Sequence, residues 1–187
     1  MSIAVIYGGT RHNGNSELLT EYVIQELASE KIHLRDFNIQ PIIDMRHSKD
    51  GFQDRNDDYN SIIDRILPHD ILIFSTPIYW YSMSGTMKNF IDRWSQTLRD
   101  PKYPDFKNKM SSKKAYVIAV GGDEPHFKGL PMIQQFNYIF DFMGIEFAGY
   151  IIGNGNKPEE VLQDKGALFA ATQIRNKITE KNEINGL

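Results

Sequence analysis

Five strand-like segments alternate with amphipathic helical segments along this chain, and this order constrains the fold more than any other feature. The strand-like segments are Ile3–Tyr7, Ile32–Phe37, Ile71–Phe74, Tyr116–Val120 and Glu146–Ile152. Continuous apolar runs such as the first, third and fourth are typical of parallel strands covered on both faces, whereas residues 32–37 alternate as a half-exposed edge strand does. The alternation predicts a doubly wound α/β sandwich with five parallel strands and right-handed crossovers, and it leaves the strand order open.

The segments between the strands carry helix start and stop signals. The first helix is predicted to begin near Asn15 or Ser16, either of which is a good N-cap, and the third near Ser84. Further helices are predicted from the start charges Asp57-Asp58 to Pro68, from about Pro131, and from about Pro158 to Lys177. Residues 38–56 are expected to form a loop, and residues 99–114 an exposed polar excursion. With 187 residues and no linker-like stretch, the chain is expected to form one domain, residues 1–187.

A glycine-rich loop, residues 8–16, joins the first strand to the first helix. It supplies glycines for close backbone approach, the N–H groups of a helix start, and the side chains of Thr10, Arg11, Asn15 and Ser16. These features describe an anion cradle, for which a phosphate monoester is the natural occupant. A simple turn into a helix is an equally good interpretation of the loop alone. It matches neither GxxxxGK[ST] nor GxGxxG, which disfavours a nucleoside triphosphate or a dinucleotide held in the Rossmann manner.

Three consecutive aromatic residues, Tyr79, Trp80 and Tyr81, follow the third strand. Large aromatic side chains in a strand-to-helix turn are costly to leave in water, and at the carboxyl end of a parallel strand they favour a flat ligand. The alternative is that they pack against a neighbouring helix or subunit. After the fourth strand, the loop of residues 121–123 could approach the other side of such a ligand, although a turn explains it equally well. A phosphate cradle and an aromatic platform on one rim favour FMN.

Composition excludes several function classes. The formal net charge is -3 without a basic block, which argues against nucleic acid as a partner. The absence of cysteine excludes disulfides, thiolate nucleophiles and cysteine-ligated clusters. The histidines are not spaced as metal ligands, so no metal site is expected. No signal peptide and no apolar run of about eighteen residues is present, so no membrane partner is expected and a cytoplasmic location is predicted.

Two stretches resemble the flavodoxin-like NAD(P)H-dependent FMN reductases. Residues 8–16, GGTRHNGNS, resemble the phosphate loop of that family, and residues 77–93, PIYWYSMSGTMKNFIDR, are similar to its flavin-contacting signature. The resemblance implies a three-layer sandwich with strand order 2-1-3-4-5. It also implies roles in binding the FMN phosphate for Arg11, Asn15 and Ser16. The residues implied to border the isoalloxazine ring are Pro77, Ile78, Tyr79, Trp80, Gly121 and Gly122, and Asp123 is a further candidate beside them.

The chain departs from the family pattern at two places. The family commonly has a serine where Gly9 stands, and Thr10 is the expected replacement for that hydroxyl contact. Related iron–sulfur flavoproteins carry clustered cysteines in the connection that corresponds to residues 38–56. Because this chain has no cysteine, the iron–sulfur branch is excluded.

The resemblance implies an oxidoreductase that accepts hydride from NADPH or NADH and passes electrons to a small acceptor. Free flavin, quinones, azo compounds, nitro compounds and metal ions all remain open as acceptors. Because the flavin carries the chemistry, no catalytic side chain is assigned. His126 and Phe127 are candidates for lining the substrate side, but an exposed or packed position is the more common one for such residues.

Two other function classes stay open. An electron carrier of the flavodoxin type would need a strongly acidic surface, which a net charge of -3 and the lysines of residues 102–114 do not supply. A binding module that has lost its flavin is the third possibility, indicated only by Gly9. A homodimer is expected from the lysine-rich segment beside the aromatic loop and from the habit of the family.

Overall fold

The computed structural model describes the backbone of residues 1–184 and the side chains of residues 1–180. Its strands are β1 (Ile3–Tyr7), β2 (Glu30–His33), β3 (Ile71–Pro77), β4 (Lys114–Gly121) and β5 (Glu146–Asn154). They form a sheet in the order β2-β1-β3-β4-β5, and every neighbouring pair is parallel. This flavodoxin-like order confirms the predicted fold class.

Helices cover both faces of the sheet. They are α1 (Asn15–Val23), α2 (Tyr59–Ile66), α3 (Gly85–Asp92), α4 (Trp94–Thr97), α5 (Phe106–Ser111), α6 (Pro125–Lys128), α7 (Leu130–Met143) and α8 (Lys165–Ile184), with 3-10 helices at Leu34–Asp36 and Glu160–Gln163. One apolar core lies between the sheet and α1 with α8, and the other lies between the sheet and helices α2 to α5 with α7. The result is the expected three-layer sandwich.

The side chains of the central strands divide between these two cores. On β3, Ile71 and Ile73 pack towards α1 and α8, whereas Leu72 and Phe74 pack towards the helices of the other layer. Successive residues of a strand point to opposite faces, so a sheet covered on both sides needs a continuous apolar run. Trp94 is buried against Phe74 with ring centroids 6.2 Å apart.

The carboxyl ends of β1, β3 and β4 lie side by side and bring the three predicted loops to one rim. Hydrogen bonds of the sheet continue into these loops. The Gly8 N–H donates to the Ser75 carbonyl at 2.8 Å, and the Ile78 N–H donates to the Val120 carbonyl at 2.8 Å. The rigid sheet therefore fixes the starting point of each loop relative to the others.

The second strand is shorter than predicted. It ends at His33, and residues 34–36, predicted to continue it, form a 3-10 helix. Ile32 and Leu34 are both fully buried, as an alternating strand would also have them. The apolar residues two positions apart are therefore Ile32 of the strand and Leu34 of the following 3-10 helix. The alternating pattern alone does not distinguish this arrangement from a longer strand.

Residues 99–114 are less exposed than predicted. Helix α5 lies within this segment, and its Phe106 and Met110 are buried in the core. Lys113 is buried as well, and its Nζ donates hydrogen bonds to the carbonyls of Leu67, at 2.7 Å, and His69, at 2.5 Å. A single pair of apolar residues four apart among lysines gave too weak a signal for an amphipathic helix.

Three helix boundaries also differ from the sequence prediction, and one is confirmed. The N-cap of α1 is Gly14 rather than Asn15 or Ser16. The last helix starts at Lys165, later than predicted, and continues past Lys177 to residue 184. Ser84 is the N-cap of α3, as expected, and its side-chain oxygen accepts a hydrogen bond from the backbone N–H at residue 87.

Candidate functional site

A cleft runs along the carboxyl rim of β1, β3 and β4 and consists of two adjoining cavities of about 250 Å³ and about 160 Å³. The larger lies against the glycine-rich loop, and the smaller lies beside the aromatic loop. Ile78, Gly121 and Gly122 line both cavities, so the two are parts of one cleft. Each sequence-predicted site residue lines one or both of them: Thr10, Arg11, Asn15, Ser16, Pro77, Ile78, Tyr79, Trp80, Gly121, Gly122 and Asp123.

The N-terminus of α1 forms one end of the larger cavity. The first N–H groups of a helix have no partner within the helix, and the helix dipole adds partial positive charge there. Arg11 and Thr10 are exposed on the loop before it, and Ser16 is buried in its first turn. These groups are donors suited to an anion with several oxygens.

Asn15 is engaged with another part of the chain. Its Nδ2 donates to the Lys157 carbonyl at 2.8 Å, and its Oδ1 accepts a long hydrogen bond of 3.5 Å from the Val161 N–H. The side chain therefore ties the start of α1 to the loop after β5. The backbone N–H of Asn15 lies in the first turn of α1 and points out of the helix N-terminus, as the other first N–H groups do.

The aromatic loop is a strained two-residue hairpin. Tyr79 and Ser82 exchange backbone hydrogen bonds of 2.9 and 3.0 Å. The two residues between them, Trp80 and Tyr81, have φ angles of 49° and 62°. Positive φ at both central positions is the pattern of a type I′ turn, which favours Asn-Gly, and bulky residues there cost roughly 1–3 kcal/mol each.

This hairpin holds the Trp80 ring in solvent. Trp80 is 94% exposed, and Tyr79 and Tyr81 are each 46% exposed. The alternative that the aromatics pack against a helix of the same chain is therefore wrong for Trp80, whereas Tyr81 is partly covered, with Lys128 Nζ of α6 6.0 Å from its ring centroid. Strain and exposure together are features of a binding surface rather than of a core.

The base of the hairpin is tied to the glycine-rich loop by buried hydrogen bonds. The Ser84 hydroxyl donates to the Gly8 carbonyl at 2.7 Å, and the Ser84 N–H donates to the Thr76 hydroxyl at 3.0 Å. A Cβ atom at Gly8 would lie 2.9 Å from Met87 Cβ. Only glycine therefore allows the loop after β1 to approach the start of α3 this closely.

The tip of the hairpin is tied to the loop after β4. The Tyr81 hydroxyl donates to Asp123 Oδ2 at 2.9 Å, and Lys128 Nζ donates to Asp123 Oδ1 at 2.8 Å. Both bonds hold the pKa of the Asp123 carboxyl below its usual range, and the bond from Lys128 has the larger effect. Asp123 therefore braces one wall of the smaller cavity as an exposed carboxylate.

Several residues that line the cleft were not among the predicted site residues. They are Gly9, His12, Asn13, Gly14, Tyr81, Val120, Pro125, Lys128, Gly129, Gly155, Asn156 and Pro158. Residues 155–158 belong to a fourth loop, which follows β5 and packs closely on the loop after β4. A Cβ at Gly122 would lie 2.7 Å from Asn156 Cβ. The Gly153-Asn154-Gly155 break at the end of the strand was the signal for this loop, but it resembles an ordinary turn.

The two residues considered for the substrate side lie apart from these cavities. His126 lines a separate polar cavity and is 3.7 Å from Asp164, and Phe127 is 76% exposed. Across the described residues, no group of three or more His, Cys, Asp or Glu side chains is arranged to hold a metal ion. The described helices also include none that is both long and apolar enough to cross a membrane.

The chemistry of the cleft fits FMN. Cationic and N–H donors lie at one end, and the apolar walls of Pro77 and Ile78 with glycine backbone at residues 121 and 122 lie at the other. A Cβ at Gly121 would lie 3.1 Å from Ile78 Cβ, so side chains are kept out of the space between these walls. The joined cavities reach the lower part of the roughly 300–1,000 Å³ range of ligand sites.

Comparison with known proteins agrees with this chemistry. The family model for NADPH-dependent FMN reductase matches residues 1–145. YwqN of Bacillus subtilis (strain 168), which carries the provisional name of an NAD(P)H-dependent FMN-containing oxidoreductase, is 60% identical over 174 residues, or 93% of this chain and 96% of that protein.

Solved structures share the fold. The Trp repressor binding protein from Bacillus subtilis superposes with a TM-score of 0.80 at 54% identity, covering 92% of this chain and 97% of that one. An FMN-dependent NADH-azoreductase from Bacillus anthracis, solved with FMN, superposes with a TM-score of 0.65 at 15% identity, covering 94% and 100%. The chain therefore belongs to the NADPH-dependent FMN reductase family and is an oxidoreductase that uses FMN with reduced nicotinamide.

Proposed function

We propose that FMN binds along the cleft with its phosphate at the N-terminus of α1 and its ring between the aromatic hairpin and residues 121–123. The observation that carries this proposal is the joining of an anion-binding end and a flat apolar end in one cleft at the switch point of the sheet. When bound, FMN supplies the hydride-accepting and electron-donating chemistry. The chain itself has to hold the cofactor, orient it and leave one side accessible.

The phosphate end combines charge with directed donors. Arg11 supplies the positive charge, and Thr10 and Ser16 supply hydroxyl donors. Asn15 contributes its backbone N–H, because both ends of its side-chain amide are used in bonds to residues 157 and 161. Gly9 has room for the serine side chain that is common in the family, since the nearest atoms to an added Cβ would be 3.7 and 3.8 Å away.

The ring end combines a rigid apolar wall with an exposed aromatic one. Pro77 is the last residue of β3 and Ile78 follows it, and both are fixed by the sheet, so they orient the ring without a conformational change. Tyr79 and Trp80 supply stacking surface, and Gly121 and Gly122 supply backbone groups at the opposite edge. Asp123 acts through Tyr81, which it holds in place, rather than through direct contact with the cofactor.

The acceptor is proposed to be a small flat conjugated compound, such as a quinone or an azo compound. The strongly exposed Trp80 ring at the mouth of the cleft favours stacking with a planar acceptor. The FMN-dependent fold neighbour from Bacillus anthracis is an azoreductase by name, which supports the azo class. No charged group is needed to bind such an acceptor, and in the structure Lys128 at this mouth is already paired with Asp123 and Glu124.

The first experiment is a visible spectrum of the purified protein, followed by addition of NADPH without air. A flavin spectrum that bleaches on addition is the expected result, and it would be followed by reoxidation with a quinone or an azo dye. A flavin spectrum that persists would favour the electron-carrier alternative. A colourless protein that does not take up added FMN would contradict the proposal.

The two ends of the cleft can be tested separately. Arg11→Ala is expected to weaken FMN binding through the phosphate, and Trp80→Ala is expected to weaken it through the ring. Arg99→Ala and Phe127→Ala are matched controls, because Arg99 is an exposed arginine and Phe127 an exposed aromatic residue, and both lie outside the two cavities. If Arg11→Ala and Trp80→Ala keep the flavin occupancy of the wild type through gel filtration, the site assignment is wrong.

We also propose that the protein is a homodimer and acts in the cytoplasm, where NAD(P)H is available. Two aromatic residues of α7, Tyr138 and Phe142, are exposed beside an apolar groove against α4, and Lys107 from the lysine-rich segment lies over the Phe142 ring at 4.6 Å. Large exposed aromatic side chains in one patch favour a protein interface. A monomer mass by light scattering would refute the dimer, and recovery of the protein with the membrane fraction would refute the location.

A further inference from the structure

A partly buried ion pair lies directly behind the glycine-rich loop. Arg35 follows the edge strand β2, and its guanidinium reaches Glu17 in the first turn of α1. Arg35 Nη1 is 2.8 Å from Glu17 Oε2, and Nη2 is 3.4 Å from Oε1. The two side chains are only 11% and 14% exposed. Interactions at this depth are weakly screened by solvent, so the pair influences the electrostatics of the loop in front of it.

The same guanidinium also contacts the backbone of the loop. Arg35 Nη1 donates to the carbonyl oxygen of Arg11 at 3.1 Å. This bond joins the middle of the loop to the edge of the sheet. It fixes the peptide from which the Arg11 side chain extends, although that side chain itself is exposed.

The position of Glu17 makes its partner important. A carboxylate in the first turn stabilises a helix through the dipole, but it also opposes a second anion at the same N-terminus. The ion pair with Arg35 removes this opposition, because the paired groups sum to no net charge. The positive charge of Arg11 and the early N–H groups of α1 are then available for a phosphate.

Other charged groups around the pair are matched elsewhere, neutral or screened by solvent. Asp36 Oδ1 is 3.9 Å from Arg35 Nε, but the Asp36 side chain is 59% exposed, so solvent screens its charge. His33 Nδ1 is 3.8 Å from Glu17 Oε1. Burial, followed by the nearby Arg35, lowers the pKa of His33, so its ring is neutral near pH 7. Glu21, one turn further along α1, is paired with Lys31. Arg35 is therefore the group whose removal would uncover the Glu17 charge.

We propose that Arg35 is a positioning residue that makes this cleft selective for phosphate-bearing flavin: it neutralises Glu17 and anchors the Arg11 peptide. The inference rests on the proposed placement of the FMN phosphate at the N-terminus of α1. It assigns a function to a residue outside the cleft lining, and it predicts opposite effects for the two partners. Loss of Arg35 weakens phosphate binding, whereas loss of the Glu17 charge strengthens it.

The test is to titrate the flavin-free full chain with FMN and with riboflavin, which lacks the phosphate, and to follow the flavin fluorescence. Arg35→Gln is expected to raise the Kd for FMN about tenfold, as a charge at a helix terminus can. Glu17→Gln is expected to lower the Kd for FMN about threefold on the same argument. The Kd for riboflavin is expected to stay within about twofold in both variants, because only the phosphate senses these charges.

The outcomes separate this inference from the placement on which it rests. If the wild type binds riboflavin as tightly as FMN, the phosphate placement is wrong and the inference falls with it. If the wild type prefers FMN but Arg35→Gln weakens both ligands equally, Arg35 is merely structural and the inference is refuted. If Arg35→Gln does not fold, Glu17→Gln decides alone: a tighter FMN complex supports the inference, and an unchanged ratio of the two Kd values refutes it.

Discussion

Replacement of Asp57 by asparagine is the sharpest test of how the long connection between β2 and α2 is held. Asp57 Oδ2 is 2.6 Å from Arg93 Nη1, and the two side chains are 3% and 1% exposed. Arg93 also donates to the Gln40 carbonyl at 2.9 Å and to Gln96 Oε1 at 2.8 Å. The sequence alone indicates that Asp57 is a helix-start charge, and its Oδ1 does accept a hydrogen bond of 3.2 Å from the Tyr59 N–H at the start of α2. In the structure Asp57 is also the counter-ion of a buried arginine at the end of α3.

The expected loss of stability follows from the charge that the substitution leaves without a partner. Asp57→Asn keeps the size of the side chain but leaves the Arg93 guanidinium buried with no anion beside it. Removal of one partner from a buried ion pair costs about 3–5 kcal/mol, because the remaining charge has lost its compensation. For a domain of this size that corresponds to a decrease in Tm of roughly 10 °C.

The assay is urea unfolding of the full chain, with Asp44→Asn as the matched control. Asp44 and Arg46 form a pair of the same type, with Nη2 2.7 Å from Oδ2, but they are 56% and 48% exposed. The hydrogen bond from Arg46 lowers the pKa of the Asp44 carboxyl, yet solvent screens an exposed pair, so no change in stability is expected there.

The double variant Asp57→Asn/Arg93→Met should be more stable than the sum of the two single changes predicts, since it removes both buried charges. The reasoning is refuted if Asp57→Asn costs less than about 1 kcal/mol, or if the control costs as much as Asp57→Asn.

Three further predictions concern the glycine-rich loop and its surroundings. Gly8→Ala should destabilise the protein by about 1–3 kcal/mol, because the added Cβ would be 2.9 Å from both Met87 Cβ and Ser84 Oγ; a variant with the urea midpoint of the wild type would contradict this. Gly9→Ser, one residue later, meets nothing closer than 3.7 Å, so its Tm should be equal or higher, and a clear decrease would show that the loop needs glycine there. Burial and then the positive charge of Arg35 lower the pKa of His33 below its usual value. The unfolded chain therefore binds more protons than the folded one, and the free energy of unfolding decreases as the pH drops through about 6.5. His33→Phe should remove that loss between pH 7.5 and 5.5 in urea unfolding, and an unchanged pH dependence would refute it.

Much of the fold follows from the sequence alone. The strands of a sheet covered on both faces are apolar at nearly every position. The continuous apolar runs at Ile3–Tyr7 and Tyr116–Val120 therefore indicate such a sheet. The strand order did not follow from this pattern, because each strand satisfies the same rule in any position. It came from the resemblance of two loop sequences, and the sheet confirms it.

The candidate site was predictable as far as its loops carry unusual residues. The glycine loop and the Tyr79-Trp80-Tyr81 stretch stand out in any single sequence, and both line the cleft. The Asn156 loop did not stand out, since Gly-Asn-Gly is an ordinary turn signal and only the pairing of β4 with β5 brings it to the rim. The local sequence pattern identifies a loop whose residue types are unusual, but it does not identify a loop of common residue types that the tertiary structure brings to the cleft.

The sequence by itself determined the class of the sheet, the positions of its central strands and the two unusual loops that line the cleft, because these depend on residue type and on periodicity along the chain. The tertiary structure alone decided which charges meet. Arg35 with Glu17 and Arg93 with Asp57 are separated by 18 and 36 positions. The first pair is partly buried and the second is buried only because β2, α1, α2 and α3 pack as they do. The free energy of such a pair depends on burial and on geometry, and neither is a property of the residues taken one at a time.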